Sequence, residues 1–160
     1  MASHLWTGRR AGSSNVAILR IWSETLAPHE ITQTLGIEPT KTGEKGKQWS
    51  KGTGIYEKNL WILYSDLEFD ITIEDHIRHF AGLVEQKGEQ VRTLLASPGT
   101  NIDIMCEFRA EGNQYPLTFE PELLVMLARF SVTLNLTAWC HPADNEPTDC
   151  DKLGISLEYD

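Results

Sequence analysis

Two groups of side chains in this sequence have types that could bind a metal ion. In the first, Asp75 and His79 are four residues apart and His76 and His79 are three apart, so in a helix they lie on or beside one face. Carboxylate and imidazole groups are ordinary zinc ligands, and with further ligands this helix start could hold a metal. The HExxH pattern of zinc enzymes is absent, however, and an ordinary exposed helix surface is the alternative interpretation.

The second group consists of Cys140, His141 and Cys150. Its spacing matches no CxxC pair of a structural zinc site, and an adjacent Cys and His do not by themselves make a catalytic nucleophile. The sequence also contains no Walker-type phosphate loop and no Gly-x-Ser-x-Gly nucleophile elbow. We therefore assign no catalytic residue and no cofactor, and we expect the chain not to be an enzyme.

A basic segment lies within an otherwise acidic chain. Residues 40–59 contain five lysines and two glutamates, a charge of +3, whereas the whole chain carries −9. Four glycines in the same segment predict a loop, and loops of this length are usually functional or mobile. A solvated loop is one interpretation, and contact with an anion or an acidic partner is the other. The candidate ligand or partner contacts are Lys45, Lys47, Trp49 and Lys51.

The composition limits the partners and the location. A net charge of −9 argues against nucleic acid and favours a partner protein with a basic surface. No stretch approaches the roughly 18 apolar residues that a membrane span needs, so we expect no membrane partner. Three cysteines and an N-terminus without a signal-peptide pattern predict a cytoplasmic protein. The oligomeric state is not set by the sequence.

The elements that must position these groups follow a pattern that occurs twice. Residues 16–37 and 116–136 each combine a short apolar run, a proline with a glutamate close behind it, a helical stretch and a return to β-branched residues. Pro28 and Pro121 suit the first position of a helix, where the missing N–H has no partner to lose. The nearby glutamates are stabilised by the positive end of the helix dipole.

Hydrophobic spacing predicts the remaining elements and the fold class. The order is β-α-β-α-β-β-α-β, with a central strand at 16–22, one long helix at 73–95 that bends near Gly88, and a short strand ending at Phe119. This order predicts an α+β fold, a two-layer sandwich with a mostly antiparallel sheet and helices on one face, ferredoxin-like in outline. We expect a flexible arm at 1–14, one domain at 15–140, and an acidic tail at 141–160 that could add an edge strand at 153–159.

Two segments resemble domain-of-unknown-function family 4279, which is found mainly in bacteria: LRIWSETLAPHEITQTLGIEPTKTGEKG and LTFEPELLVMLARFSVTLNLTAW. The resemblance covers about residues 16–139 and implies an α+β fold of unknown function. Neither segment is a catalytic motif, so it assigns no functional residue. Family members tend to have Ser before each Pro-Glu. Here Ala27 and Glu120 stand there, which weakens each helix cap by roughly 0.5–2 kcal/mol unless another group substitutes.

Two functions remain open. The first is a small non-enzymatic protein-binding module, for example an immunity-like protein that neutralises a toxin. The second is a metal-dependent or anion-binding enzyme that uses the helix start at 74–79 or the lysine segment at 41–58. We favour the first because the sequence lacks a catalytic motif and carries a strong net charge.

Overall fold

The fold is a mixed sheet with helices packed against it. The computed structural model describes residues 15–49, 53–68, 70–110 and 116–140. Within these ranges the elements are β1 (Val16–Ser23), α1 (Pro28–Leu35), β2 (Lys41–Gly43), β3 (Asn59–Tyr64), α2 (Ile73–Gln86), α3 (Gly88–Leu95), β4 (Asn101–Ala110), α4 (Pro121–Arg129) and β5 (Thr133–Cys140). The predicted arm at 1–14 and the predicted tail at 141–160, with its strand at 153–159, lie outside the described residues.

Strand β1 lies at the centre of the sheet, whose order is β2-β3-β1-β4-β5. It pairs antiparallel with β3 and with β4, so Leu19 lies between Leu63 and Ile104. Strands β2 and β3 are also antiparallel, whereas β4 and β5 are parallel. The predicted central strand and the α+β class are confirmed, and three of the four strand pairs are antiparallel.

The main core lies between one face of the sheet and the helices. Along β1, Ala17, Leu19 and Ile21 are buried in this core, and Trp61 of β3 and Ile104 of β4 are fully buried beside them. Because successive strand residues point to opposite faces, these alternate residues define the helix-bearing face. The helices contribute Ile31, Leu35, Ile73, Ile77, Phe80, Val84, Val91, Leu94, Leu123 and Leu127.

Helices α1 and α4 begin at the two prolines, as predicted. At α1 the Glu30 carboxylate accepts a hydrogen bond from the Ala27 N–H at 2.7 Å, which is the glutamate half of a capping box. The Ala27 side chain cannot make the other half, which a serine would supply. The helix ends at Gly36, whose φ of 66° is the left-handed conformation that favours glycine at this position. At α4 the Glu120 side chain makes no cap and instead pairs with Arg78 of α2 at 2.6 Å.

The predicted long helix is interrupted at Lys87, between α2 and α3. Gly88 is buried, and a Cβ at this position would lie 3.2 Å from the ring of Phe130. The absence of a side chain therefore lets Phe130, which follows α4, pack closely against the start of α3. The bend predicted near Gly88 is confirmed, and its position is where two helices and the Phe130 ring converge.

The element order differs from the predicted one in two further places. Strand β2 lies within the segment predicted to be a loop, and residues 116–120 form no strand before α4. In the second case the Thr118 N–H donates to the Glu74 carboxylate at 3.1 Å instead of to a strand partner. The ferredoxin-like outline and the two-layer arrangement stay predictions.

Substitution of Gly88 by Leu should lower the free energy of unfolding by about 1–3 kcal/mol, because the new side chain must displace the Phe130 ring. Gly82 lies exposed within α2 with open space around it, so Gly82→Leu is the matched control. That variant should gain up to about 1 kcal/mol, since leucine is the better helix former. Urea denaturation of both variants measures the difference. Equal effects at the two glycines would contradict the role of Gly88.

Candidate functional site

The basic segment after β2 contains a β-hairpin. The Gly46 N–H donates to the carbonyl of Tyr56 at 2.8 Å, and the Tyr56 N–H donates to the carbonyl of Lys47 at 2.9 Å. Further along, the Trp49 N–H donates to the carbonyl of Gly54 at 2.8 Å. We call residues 46–56 the hairpin. Residues 50–52, which include the candidate contact Lys51, lie outside the described residues.

Two glycines allow aromatic rings of the hairpin to lie against the backbone. A Cβ at Gly43 would overlap the ring of Tyr56, and a Cβ at Gly54 would lie 2.8 Å from the ring of Trp49. The centroids of these two rings are 6.3 Å apart and their planes are tilted by 58°, a separation within the range of favourable aromatic pairs. The rings therefore fix the hairpin against the end of β2 and against itself.

The hairpin borders a groove on the face of the sheet that points away from the main core. We call it the helix-free face, because its apolar cluster includes no residue of the described helices. This face carries a second, smaller apolar cluster around Ile18, Leu60 and Ile62. The groove has a volume of about 710 Å³, within the size range of ligand pockets. We call it the aromatic groove; it is lined by Trp22, Leu60 and Asn101 of the sheet, by Trp49, Ile55 and Tyr56 of the hairpin, and by Lys41, Glu57 and Lys58.

A half-buried polar network holds the sheet side of the aromatic groove. Arg20 of β1 donates two hydrogen bonds, at 2.8 and 2.7 Å, to the two carboxylate oxygens of Asp103 on β4. Asn135 of β5 donates to the same carboxylate at 3.0 Å. The Arg20 guanidinium also lies 5.3 Å from the ring centroid of Trp22, within cation–π range. The network thus links three strands and orients one wall of the groove.

The lysines near the groove differ in their partners. Lys58 pairs with Glu24 at 3.1 Å, and Lys47 pairs with Glu44 at 2.7 Å. Lys45 is exposed, and its backbone N–H donates to the Asn59 side chain at 2.9 Å. Of the four predicted contacts, Trp49 lines the groove, whereas Lys45 and Lys47 lie on the hairpin and its base without lining it.

The structure does not bring the helix-start candidates Asp75, His76 and His79 together. The Asp75 N–H donates to the Thr72 hydroxyl, and the Asp75 carboxylate pairs with Arg78 at 2.6 Å. His79 lies 3.2 Å from Asp66. His76 is buried on the core side of α2. Among the described residues, no three His, Cys, Asp or Glu side chains come close enough to hold a metal ion.

His76 is the unusual member of that set, because it is only 1% exposed. Its Nδ1 atom lies 2.8 Å from the Ser65 hydroxyl, while Nε2 has no hydrogen-bond partner among the described residues. Burial lowers the pKa of His76 below its ordinary value, because the imidazolium ion loses solvation there. This histidine therefore serves the fold as a neutral core residue.

The cysteines supply no reactive group in the described part of the chain. Cys106 is fully buried in the main core, and burial raises the pKa of its thiol to about 12. A thiol in that state is a small apolar side chain rather than a nucleophile. The backbone of Cys140 ends β5, and His141 and Cys150 of the same predicted group lie outside the described residues.

Of the residues that line the aromatic groove, Trp49 is a contact predicted from the sequence, whereas most of the others are not. The groove also contains Ile55, Tyr56 and Asn101. These residues come together through the hairpin and the pairing of strands, which their spacing in the sequence does not predict. One signal was present: β1 is apolar on both faces, so a second cover on the helix-free face was required. The second signal was that the segment 43–56 contains both glycines and aromatic residues, which can pack against each other.

Comparison with known proteins gives one match. The model of the family described as Domain of unknown function (DUF4279) matches residues 13–141 of the chain. The chain belongs to this family. No curated protein and no solved structure matches it.

The DUF4279 match spans the main core, the hairpin and the aromatic groove. The resemblance inferred from the two Pro-Glu segments is therefore confirmed. The family description names no activity, so membership supports the α+β domain and leaves the role of the groove to be argued from its residues.

The buried His76 should make stability depend on pH in a defined window. The pKa of His76 is lowered in the folded state from about 6.5 in the unfolded chain. Below pH 6.5 the unfolded chain takes up a proton that the folded chain does not, so the free energy of unfolding falls as the pH drops toward the folded-state pKa. Above pH 6.5 this contribution is constant.

The variant His76→Asn should lose that part of the pH dependence, although it is less stable overall. Urea denaturation between pH 7.5 and 5.0 measures the slope for wild type and variant. The control His79→Asn removes an exposed histidine one turn away and leaves in place the burial of His76, the largest cause of its lowered pKa. Parallel curves for wild type and His76→Asn would show that His76 does not cause the dependence.

Proposed function

We propose that this DUF4279 protein is a non-enzymatic protein-binding module that holds an apolar side chain of its partner in the aromatic groove. The observation that carries this proposal is the exposure of the groove walls. Trp49 and Ile55 are 49% and 58% exposed, although both are large hydrophobic residues. Exposed apolar surface of this kind, rimmed by polar residues, is typical of interaction sites.

The residue types in the groove support protein binding. Two tryptophans and a tyrosine contribute to its lining, and Trp and Tyr are enriched among the residues that dominate binding energy in protein interfaces. The lysines and Glu57 around them form a polar rim, which is the usual arrangement around such an anchor.

The groove is also organised before any partner arrives. Arg20 positions the Trp22 ring, and the contact with Gly43 positions Tyr56. A preorganised site loses less conformational entropy when it binds, so more of the contact energy contributes to affinity. This preorganisation supports a role for the aromatic residues near the sheet as a binding surface and not as part of a flexible loop.

We further propose that the partner has a basic surface. The net charge of −9 favours association with a positively charged protein. The exposed acidic residues Asp66, Glu68 and Asp70 follow β3, whereas the groove and its lysines lie at the opposite end of that strand. A partner that contacts both regions would place an apolar side chain in the groove and basic side chains near Asp66, Glu68 and Asp70. An immunity-like inhibitor of a basic toxin is the specific form of this proposal.

The alternative, a metal-dependent or anion-binding enzyme, draws less support from the described residues. The helix start at 74–79 is occupied by a helix cap, an ion pair and a buried histidine. Lys47 and Lys58 of the lysine segment are already paired with glutamates. The Ser65 hydroxyl does lie 2.8 Å from His76, but His76 is buried, so this pair is not presented to a substrate.

The cytoplasmic location belongs to the same proposal. It rests on the sparse cysteines, which favour a reducing compartment. In the described part of the chain, none of the helices has the length and apolar character of a membrane span.

The substitution Ile55→Lys should weaken partner binding, because it places a charge in the wall of the groove. Full-length protein is immobilised and exposed at moderate salt to an extract of the source cells, and the captured partner is then titrated against each variant. We expect a stoichiometric basic partner whose Kd rises by about 30-fold or more with Ile55→Lys, the effect of losing one interface hot spot.

The control for this experiment is Val125→Lys, the same change in charge at another exposed aliphatic residue, 65% exposed on α4. It should bind the partner as wild type does. Recovery of no stoichiometric partner would overturn the proposed function. Equal binding by Ile55→Lys and wild type would place the contact outside the groove.

A further inference from the structure

One lysine of the aromatic groove has a position that the sheet fixes. Lys41 is exposed on β2 and is in register with Ile62 of β3, which in turn lies opposite Arg20 of β1. Residues directly opposite each other in adjacent antiparallel strands share one face of the sheet, and Ile62 belongs to the apolar cluster of the helix-free face. Lys41 therefore lies on the helix-free face, where it forms part of the lining of the groove.

Two other cations on this side of the sheet already have acidic partners. Arg20 pairs with Asp103 at 2.7 Å, and Lys58, the second lysine of the groove lining, pairs with Glu24 at 3.1 Å. Within the part of the chain that the structure describes, the Lys41 side chain makes no ion pair. Of the two lysines in the lining, Lys41 is therefore the one whose charge is available to a ligand.

A segment that fills the aromatic groove would cover Lys41 and displace part of its water. An ammonium ion that loses water without gaining an anion costs free energy, and that cost lowers the affinity of the complex. A carboxylate of the partner would offset this cost. The surrounding charge has the same effect, because residues 40–59 carry +3 and would repel a basic partner unless the segment that enters the groove is acidic.

The alternative is a partner cation beside Glu57, which also lines the groove. Glu57 is exposed, and the next residue in the chain is Lys58. The described lining contains two lysines and this one glutamate, so its formal charge is positive and favours an anion over a cation.

We propose that the partner segment in the aromatic groove carries a carboxylate within two residues of its apolar side chain, and that Lys41 binds this carboxylate. This inference rests on the proposed function, because it describes the segment that the groove holds. Lys41 and Gly43 are two residues apart on β2, a distance of about 7 Å in an extended strand. The Tyr56 ring of the groove lies against Gly43. An extended partner segment spans the same distance with two residues.

Nitrogen–proton correlation NMR of the full-length protein tests this inference with acetylated, amidated peptides Gly-Trp-Gly-X-Gly, in which X is Glu, Gln or Lys. The indole signals of Trp22 and Trp49 report on the groove. Trp61 is the internal control, because it is buried in the main core and its indole N–H donates to Thr32 at 3.0 Å.

We expect the Glu peptide to bind wild type about two- to fivefold more tightly than the Gln peptide, the effect of one exposed ion pair. The Lys peptide should bind most weakly. The difference between the Glu and Gln peptides should shrink in about 1 M salt, where the Debye length is about 3 Å.

Lys41→Gln should remove the preference for the Glu peptide over the Gln peptide. The matched control is Lys58→Gln, which removes the same charge from the same lining at a lysine that already has an acidic partner. It should keep most of the preference. Both variants should leave the Trp61 signal in place, which shows that the main core is intact.

Three results would overturn the inference. These are the absence of binding by any of the peptides, equal or stronger binding of the Lys peptide, which would assign the site to a cation beside Glu57, and an equal loss of preference in Lys41→Gln and Lys58→Gln. The capture experiment with Ile55→Lys tests the proposed function separately. If Ile55→Lys weakens binding of the captured partner while wild type shows no preference for the Glu peptide, the groove binds its partner and the role of Lys41 is wrong.

Discussion

The structure depends on one constraint, which is that the central strand β1 is apolar on both faces. Leu19 and Ile21 point into the main core, while Ile18 and Trp22 point to the helix-free face. A strand of this kind is stable only when both sides are covered, since its neighbours β3 and β4 satisfy the backbone but not the side chains. The helices provide the first cover. The second must come from other parts of the chain.

The helix-free face is covered by an aromatic ring and an ion pair and not by helices. The candidate site results from this difference. The Tyr56 ring packs with Ile18, Leu60 and Ile62, and the Arg20–Asp103 pair crosses the same face. A partly buried ion pair of this kind contributes little stability over an apolar pair of equal size. It does fix the positions of both side chains, because moving either one would leave the other charge without its partner. The side chains on the helix-free face are therefore held in fixed positions, but they do not cover the whole face. The space that remains beside the hairpin is the aromatic groove.

Structural features that depend on residues close together in the sequence could be predicted. Features that depend on which strands pair with each other could not. Pro28 and Gly36 act through backbone conformation at their own positions, so their roles could be predicted from residue type alone. The close contact of Gly88 with the Phe130 ring depends on the fold and could not be predicted in this way. Strand β2 has three residues, too few for any hydrophobic period to appear. The groove joins Trp22, Ile55 and Asn101, which no spacing rule connects. Its one predicted member, Trp49, was found because a tryptophan in a glycine-rich polar segment needs a packing partner.

The helix start at 74–79 shows how a correct local rule can group residues that the fold directs to different surroundings. The spacing of Asp75, His76 and His79 suggested a shared face, yet His76 lies three residues after Ile73 and four before Phe80, both fully buried. The same 3.6-residue period that relates the two histidines also relates His76 to the core. Since burial of apolar surface outweighs a weak and incomplete ligand set, the apolar period decided the orientation of α2. A polar residue that fits an apolar period should therefore be assigned to the core before it is assigned to a site.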